Sequence, residues 1–218
     1  LNEEKAIASV VEYALRDQAT GEVIVVDDCS TDQTAAMAKA AGATVITSSM
    51  LGKGASMQDG IAAAQYEYIV FLDGDLSGLQ ENIISDMVKP LMHDGADFVK
   101  ASFGRGGGRV TELTAKPMLK VFFPELARFS QPLGGIISAK TSLLKHLTFE
   151  SGYGVDIGLL IDAFRKGATI AEVDIGSLEH DSQSLQDLTS MANEVARVIH
   201  HHSREAGRLH VDQITEMY

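Results

Sequence analysis

Short β-branched runs separated by alanine-rich or amphipathic stretches fill the first hundred residues. Glu22-Val-Ile-Val-Val-Asp27 has strand length and ends in acidic residues, and Thr31 or Asp32 then stands where a helix through about Ala41 would take its N-cap. The step repeats with a strand at 44–46, an alanine-rich helix at 53–64 and an apolar strand at 68–72. Ile83, Ile84, Met87, Val88 and Leu91 share one face of a further helix, and a strand at 97–101 completes the series. Strands alternating with helices at this spacing predict an α/β chain with a mostly parallel central sheet flanked by helices, its ligands lying beyond the carboxyl ends of the strands.

The second half is less regular. Gly104-Arg-Gly-Gly-Gly-Arg109 is dense in glycine and leads into an apolar helical pattern interrupted at Pro117. Residues 134–139 read as a strand, 156–164 as a short helix and 168–173 as a further strand. Leu185, Leu188, Ala192, Val195 and Ile199 recur at helical spacing, so a long C-terminal helix is expected to pack on the same domain or on a second subunit. The pattern divides the chain into 1–100, 101–182 and a helical segment at 183–218, with no internal repeat.

Composition sharpens this picture in three ways. The chain has 218 residues, 45% hydrophobic and 22% charged, enough for one large domain with a substantial core. A formal charge of −12 disfavours a general nucleic-acid or anionic-membrane surface, so any phosphate must be held locally. Cys29 stands alone, which fits a reducing cytoplasm, and no apolar run is long enough to span a membrane. The chain opens at Leu1-Asn2-Glu3-Glu4 without an initiator Met, from which further residues, a first strand among them, are expected upstream.

Candidate chemistry clusters at the predicted strand ends. Asp73 and Asp75 flank Gly74 after an apolar strand, where period-two geometry points both carboxylates to one side. Two carboxylates repel a diphosphate unless a divalent cation bridges them to its oxygens. Asp28, at the mouth of an earlier strand, suits a nucleobase or ribose, whereas Ser30, Thr31 and Asp32 are read as helix capping alone. Gly52-Lys53-Gly54 precedes a helix, so Lys53 can reach a phosphate, although the Walker A spacing is absent. His200-His201-His202 is read as a solvated face of the terminal helix, and Arg105 as a mobile loop residue.

These motifs, in this order, resemble the nucleotide-sugar half of GT-A fold, family 2-like glycosyltransferases: Leu1-Asn2-Glu3-Glu4, Val26-Asp27-Asp28, Ser30-Thr31-Asp32, Gly52-Lys53-Gly54 and Asp73-Gly74-Asp75. Gly107-Gly108-Arg109-Val110-Thr111-Glu112-Leu113, Gln131-Pro132-Leu133, Gly152-Tyr153-Gly154-Val155-Asp156 and the later His180 resemble the glucosyl-3-phosphoglycerate synthases. The resemblance implies that Leu1, Glu3, Asp28, Gly52, Lys53, Asp73 and Gly74 bind the donor. It further implies that Asp73, Asp75 and His180 hold Mg2+ or Mn2+, and that Asp156, where many relatives carry glutamate, meets a sugar or acceptor hydroxyl. Gly108, Arg109, Val110 and Thr111 would bind the acceptor as an anion site of backbone N–H groups, a guanidinium and a hydroxyl. Asp75, Asp156 and Lys53 are the expected catalytic groups.

The implied reaction moves a hexose, glucose by preference, from a UDP- or GDP-sugar to a small acidic acceptor such as 3-phosphoglycerate, with retention, in a cytoplasmic homodimer. The alternatives are sugar transfer to a polyprenyl phosphate, against which the missing amphipathic anchor counts, and a non-catalytic nucleotide-sugar-binding module.

Overall fold

In the computed structural model, which describes residues 1–104, 108–178 and 185–209, the β-branched runs pair as two sheets. Strands β1 (Ile24–Asp27) and β2 (Thr44–Thr47) form a parallel pair in register from Ile24 opposite Thr44. Strands β3 (Tyr68–Phe71), β4 (Phe98–Ser102), β5 (Ile137–Lys140) and β6 (Ile170–Asp174) form a second sheet in the order β3-β5-β4-β6. Helices α1 (Ile7–Arg16), α2 (Thr34–Ala40), α3 (Lys53–Ala63) and α4 (Ile83–His93) alternate with the strands of the first half. A π-helical turn, Thr111–Ala115, runs into α5 (Lys116–Phe122), and α6 (Thr141–Leu144), α7 (Val155–Arg165) and α8 (Leu185–Glu205) complete the chain.

The expected mostly parallel sheet is corrected here. Only β1–β2 and β4–β6 are parallel, and β5 lies between β3 and β4 antiparallel to both. The physical reason is the route of the chain. It leaves β4, passes through the π-helical turn and α5, and re-enters the sheet through a coil beside the second half of β4, where Ala101 N–H meets Ile136 O at 3.1 Å. A strand entered at that end runs backwards, and it delivers Gly134 and Gly135 to the edge where β4 ends.

Alternation along β4 separates two cores. Val99 and Ala101 pack with Ile83, Met87 and Leu91 of α4, so the apolar stripe of that helix is buried as its spacing requires. Phe98 packs on the opposite face with Ile137, α7 and the Val195, Val198 and Ile199 stripe of α8. The terminal helix thus packs on its own domain. Pro117 does not end the helical stretch: it stands at the second position of α5, which follows the π-helical turn directly. Among the described residues, no helix is long and apolar enough to cross a membrane.

Asp97 fastens three strands at the opposite end of the sheet. Its carboxylate takes Lys140 Nζ, at the end of β5, at 2.7 Å and Thr169 N–H, just before β6, at 3.0 Å. The Lys140 bond, then Thr169 N–H, hold its carboxyl below the usual range despite some burial. A depressed carboxyl contributes stability above the unfolded value, near 4, and loses it as pH falls through the folded one. Asp97→Ala is expected to cost about 1–2 kcal/mol in urea denaturation at pH 7, with the difference from wild type shrinking below about pH 4.

Candidate active site

Strand β3 ends at Phe71, and Gly74 and Asp75 lie in a turn beyond it. Asp73 and Asp75 are therefore aimed by that turn and not by strand alternation, which corrects the sequence expectation. Asp73, half-buried, points its Oδ1 at Lys53 Nζ, 3.0 Å away, while Asp75 is exposed. Lys53 opens α3, and the same ammonium lies 3.0 Å from Asp156 Oδ2 in the first turn of α7. One cation thus joins carboxylates from the two halves of the chain. Asp156 is only 6% exposed, and its Oδ1 is buried with no hydrogen-bond partner, so the contact with Lys53 is what holds this carboxylate.

The electrostatics follow from these distances. Burial alone would push Lys53 down, but Asp156 and then Asp73 outweigh it and hold the ammonium well above its ordinary value. Glu3 is pushed up, first by burial and next by Asp75, whose charge it shares the edge of the site with. Its Cβ and Cγ lie against Gly74, in contact range of any Cβ added there. Gly135 closes the other side. A Cβ at that position would overlap Asp73 Oδ2 and stand 2.7 Å from Lys53 Nζ.

The glycines of Gly52-Lys53-Gly54 serve an approach within the protein. Gly52 has φ +117°, and a Cβ on Gly54 would overlap the Glu150 carbonyl oxygen, so the backbone at 150–151 packs directly on this loop. Asp28 accepts Gly52 N–H at 3.0 Å, tying the end of β1 to the lysine loop. The helix cap expected of Ser30, Thr31 and Asp32 is corrected: Gln33 stands at the N-cap of α2 with no side-chain cap bond. Only Asp32 reaches the helix, accepting Thr34 N–H at 2.9 Å, and the three residues hold the 2–4 segment. Ser30 Oγ accepts Asn2 N–H at 3.0 Å, Asn2 Oδ1 accepts Thr31 N–H at 2.9 Å, and Asp32 Oδ2 accepts Glu4 N–H at 3.2 Å. These bonds bring Glu3 to Asp73 and Asp75; Leu1, at the tip, is 62% exposed.

The quartet expected to bind the acceptor, Gly108 to Thr111, begins the long helical stretch of the second half. Gly108 and Arg109 are exposed at its start, Val110 and Thr111 are buried beneath, and Gly108 O accepts Glu112 N–H at 3.0 Å. A groove of about 560 Å³ adjoins it, lined by Glu112, Lys116, Lys120, Arg128 and Gln131 among others, with Lys116 paired to Glu112 at 2.5 Å. His180 and Arg105 lie outside the described residues. The histidine run is corrected in part: His200 and His201 are exposed, but His202 is 2% exposed and its Nδ1 lies 3.1 Å from Arg165, because it faces α7.

Sequence reasoning missed Lys100 and Gly135. Lys100 is fully buried in β4, where a charged residue inside Phe98-Val-Lys-Ala was the available signal, and a Gly-Gly pair just before a strand marked the other. Among the described residues, no group of three or more histidine, cysteine or acidic side chains is arranged to hold a metal. Asp73 and Asp75 are hard oxygen donors of the type that suits Mg2+ or Mn2+.

Comparison with known proteins identifies the family. Residues 1–150 match the glycosyl transferase family 2 profile, and the chain belongs to that family. It is 38% identical over 222 residues to glucosyl-3-phosphoglycerate synthase of Mycolicibacterium paratuberculosis, covering 89% of this chain and 68% of that protein. The synthase of Petrotoga mobilis is 34% identical over 240 residues, covering 96% of this chain and 73% of its own length. The crystal structure of the Mycobacterium tuberculosis enzyme in complex with Mn2+, UDP-glucose and phosphoglyceric acid superposes with a TM-score of 0.87 at 38% identity, over 93% of this chain and 77% of that one. The chain is a glycosyltransferase with a GT-A-like fold.

Gly135→Ala tests the packing around Asp73. The added methyl must displace Asp73 or Lys53, so the variant is expected to bind nucleotide-sugar about tenfold or more weakly by calorimetry, with little change in melting temperature.

Proposed function

We propose that the chain transfers glucose from UDP-glucose to the hydroxyl of 3-phosphoglycerate, with retention, using a divalent cation. The observation that carries this reading is Lys53 held 3.0 Å from both Asp73 and Asp156 while Asp156 Oδ1 stays buried and unpaired. The relatives' names, and the UDP-glucose, Mn2+ and phosphoglyceric acid bound to one of them, support the choice of substrates.

On this reading Leu1, Glu3 and Asp28 border the nucleotide, and Lys53 swings its charge from Asp73 to the diphosphate. Asp73 and Asp75, with His180, hold Mg2+ or Mn2+, which supplies charge neutralisation for the departing diphosphate. Asp156 accepts a hydrogen bond from a glucose hydroxyl and orients the ring. Gly108, Val110 and Thr111 offer N–H and hydroxyl donors, and Arg109 a guanidinium, to the phosphate or carboxylate of the acceptor. The acceptor oxygen forms its bond to the anomeric carbon on the face from which the diphosphate oxygen leaves, and the hydroxyl proton passes to that oxygen. Asp156 is engaged by Lys53, which disfavours it as a covalent nucleophile. The exposed, free Cys29 suits a reducing cytoplasm, and the same reading takes the chain to be a homodimer, to be checked by light scattering.

Incubation with UDP-glucose, Mn2+ and 3-phosphoglycerate is expected to release UDP, EDTA to stop the release, and anomeric NMR to show a retained product; an inverted product overturns the same-face step. Asp75→Ala should lower turnover by about 100-fold or more. Arg109→Ala should raise the acceptor KM by about 10- to 100-fold with a smaller change in kcat, and equal activity of either variant and wild type refutes its assignment.

A further inference from the structure

Lys100 and Glu172 are register partners on the parallel strands β4 and β6, and each holds one end of the turn at 130–135. Lys100 donates from Nζ to the Gly134 carbonyl. Glu172 accepts Ser130 N–H at 2.6 Å and Ser130 Oγ–H at 3.2 Å. The turn closes on itself through Gly134 N–H to Gln131 O at 3.0 Å. Its exit, Gly135, fits against Asp73 and Lys53 with no room for a side chain, and Gln131 and Ser130 line the groove beside the acceptor quartet.

A fully buried ammonium is costly unless its environment returns the lost hydration. Burial pushes Lys100 down to about 8, and Asp156, Lys53, Asp73 and Glu172 are the charges that act on it. Its position is thus electrically part of the site although it lies beneath it.

We infer that Lys100 and Glu172 are positioning residues for the transfer, clasping the 130–135 turn from neighbouring strands so that one rigid turn sets both the Lys53–Asp73 pair and the acceptor side. The inference rests on the transferase reading above and adds two residues that touch neither substrate. Loss of the Lys100 bond frees the Gly134–Gly135 end, which bounds the donor carboxylate. Loss of Glu172 frees the Ser130 end, which borders the groove.

Steady-state kinetics with UDP-glucose, Mn2+ and 3-phosphoglycerate test this. Lys100→Met is expected to raise the KM for donor and for acceptor by about tenfold or more. Glu172→Ala, at an exposed side chain, is expected to raise the acceptor KM by about three- to tenfold and the donor KM less. A purely structural role would lower kcat through the folded fraction and leave both KM values alone, and that result overturns the inference. So do KM values within about twofold of wild type in both variants. If Lys100→Met does not fold, Glu172→Ala decides by the same criterion. A wild-type chain that releases no UDP refutes the transferase reading itself, and the inference falls with it, whereas an active wild type with unmoved variants refutes the inference alone.

Discussion

The ammonium of Lys53, held between Asp73 and Asp156, is the interaction on which the rest of the site depends. Asp73 comes from the turn after β3 and Asp156 from the first turn of α7, so a single cation joins the halves of the chain. Without it, two carboxylates would stand on either side of a gap with no charge between them, a juxtaposition that is unfavourable unless one is protonated. The neighbouring backbone is shaped to this contact. Gly54 admits the 150–151 segment that precedes α7, and Gly135 leaves room for the Asp73 carboxylate itself.

A second constraint fixes what the pair faces. Residues 2–4 are folded back by hydrogen bonds to Ser30, Thr31 and Asp32, and this sets Glu3 beside Gly74 and within electrostatic reach of Asp75. Asp28 in turn holds the Gly52 N–H. Glu3, Asp28, Gly52 and Gly74 are therefore tied to their neighbours by a backbone bond or a close van der Waals fit. Preorganisation of this kind lets a ligand bind without first ordering its own site.

The first half of this arrangement was legible because its signals are local. An α4 stripe of Ile83, Ile84, Met87, Val88 and Leu91 can be read from spacing, and the buried set of that helix is the same five residues. Asp-Gly-Asp directly after an apolar run likewise marks the turn that follows β3 through residue order alone. The antiparallel insertion of β5 was not legible, since strand direction depends on where the coil after α5 returns to the sheet, and no local pattern encodes that. Lys100 was hidden for a related reason: a lysine in a short strand reads as an edge residue until its register partner and its carbonyl acceptor are both known. His202 erred the other way. Its two neighbours are exposed, and only the packing of α8 on α7 separates it from them.

The overall charge explains why so few residues carry the ligand chemistry. A chain at −12 repels a nucleotide-sugar and an acidic acceptor at long range, but screening over about 8 Å in physiological salt confines that repulsion to the neighbourhood of individual groups. What matters is then the local balance, and Asp73 and Asp156 are the carboxylates that act on both Lys53 and Lys100. Both lysines are already engaged, one with carboxylates and one with a carbonyl. An incoming diphosphate must therefore either draw Lys53 away from its partners, exposing Asp73 and Asp156 to each other, or arrive with positive charge of its own. Under the transferase reading a divalent cation would take the place of Lys53 at Asp73, so that Lys53 can turn its charge to the diphosphate while staying near Asp156.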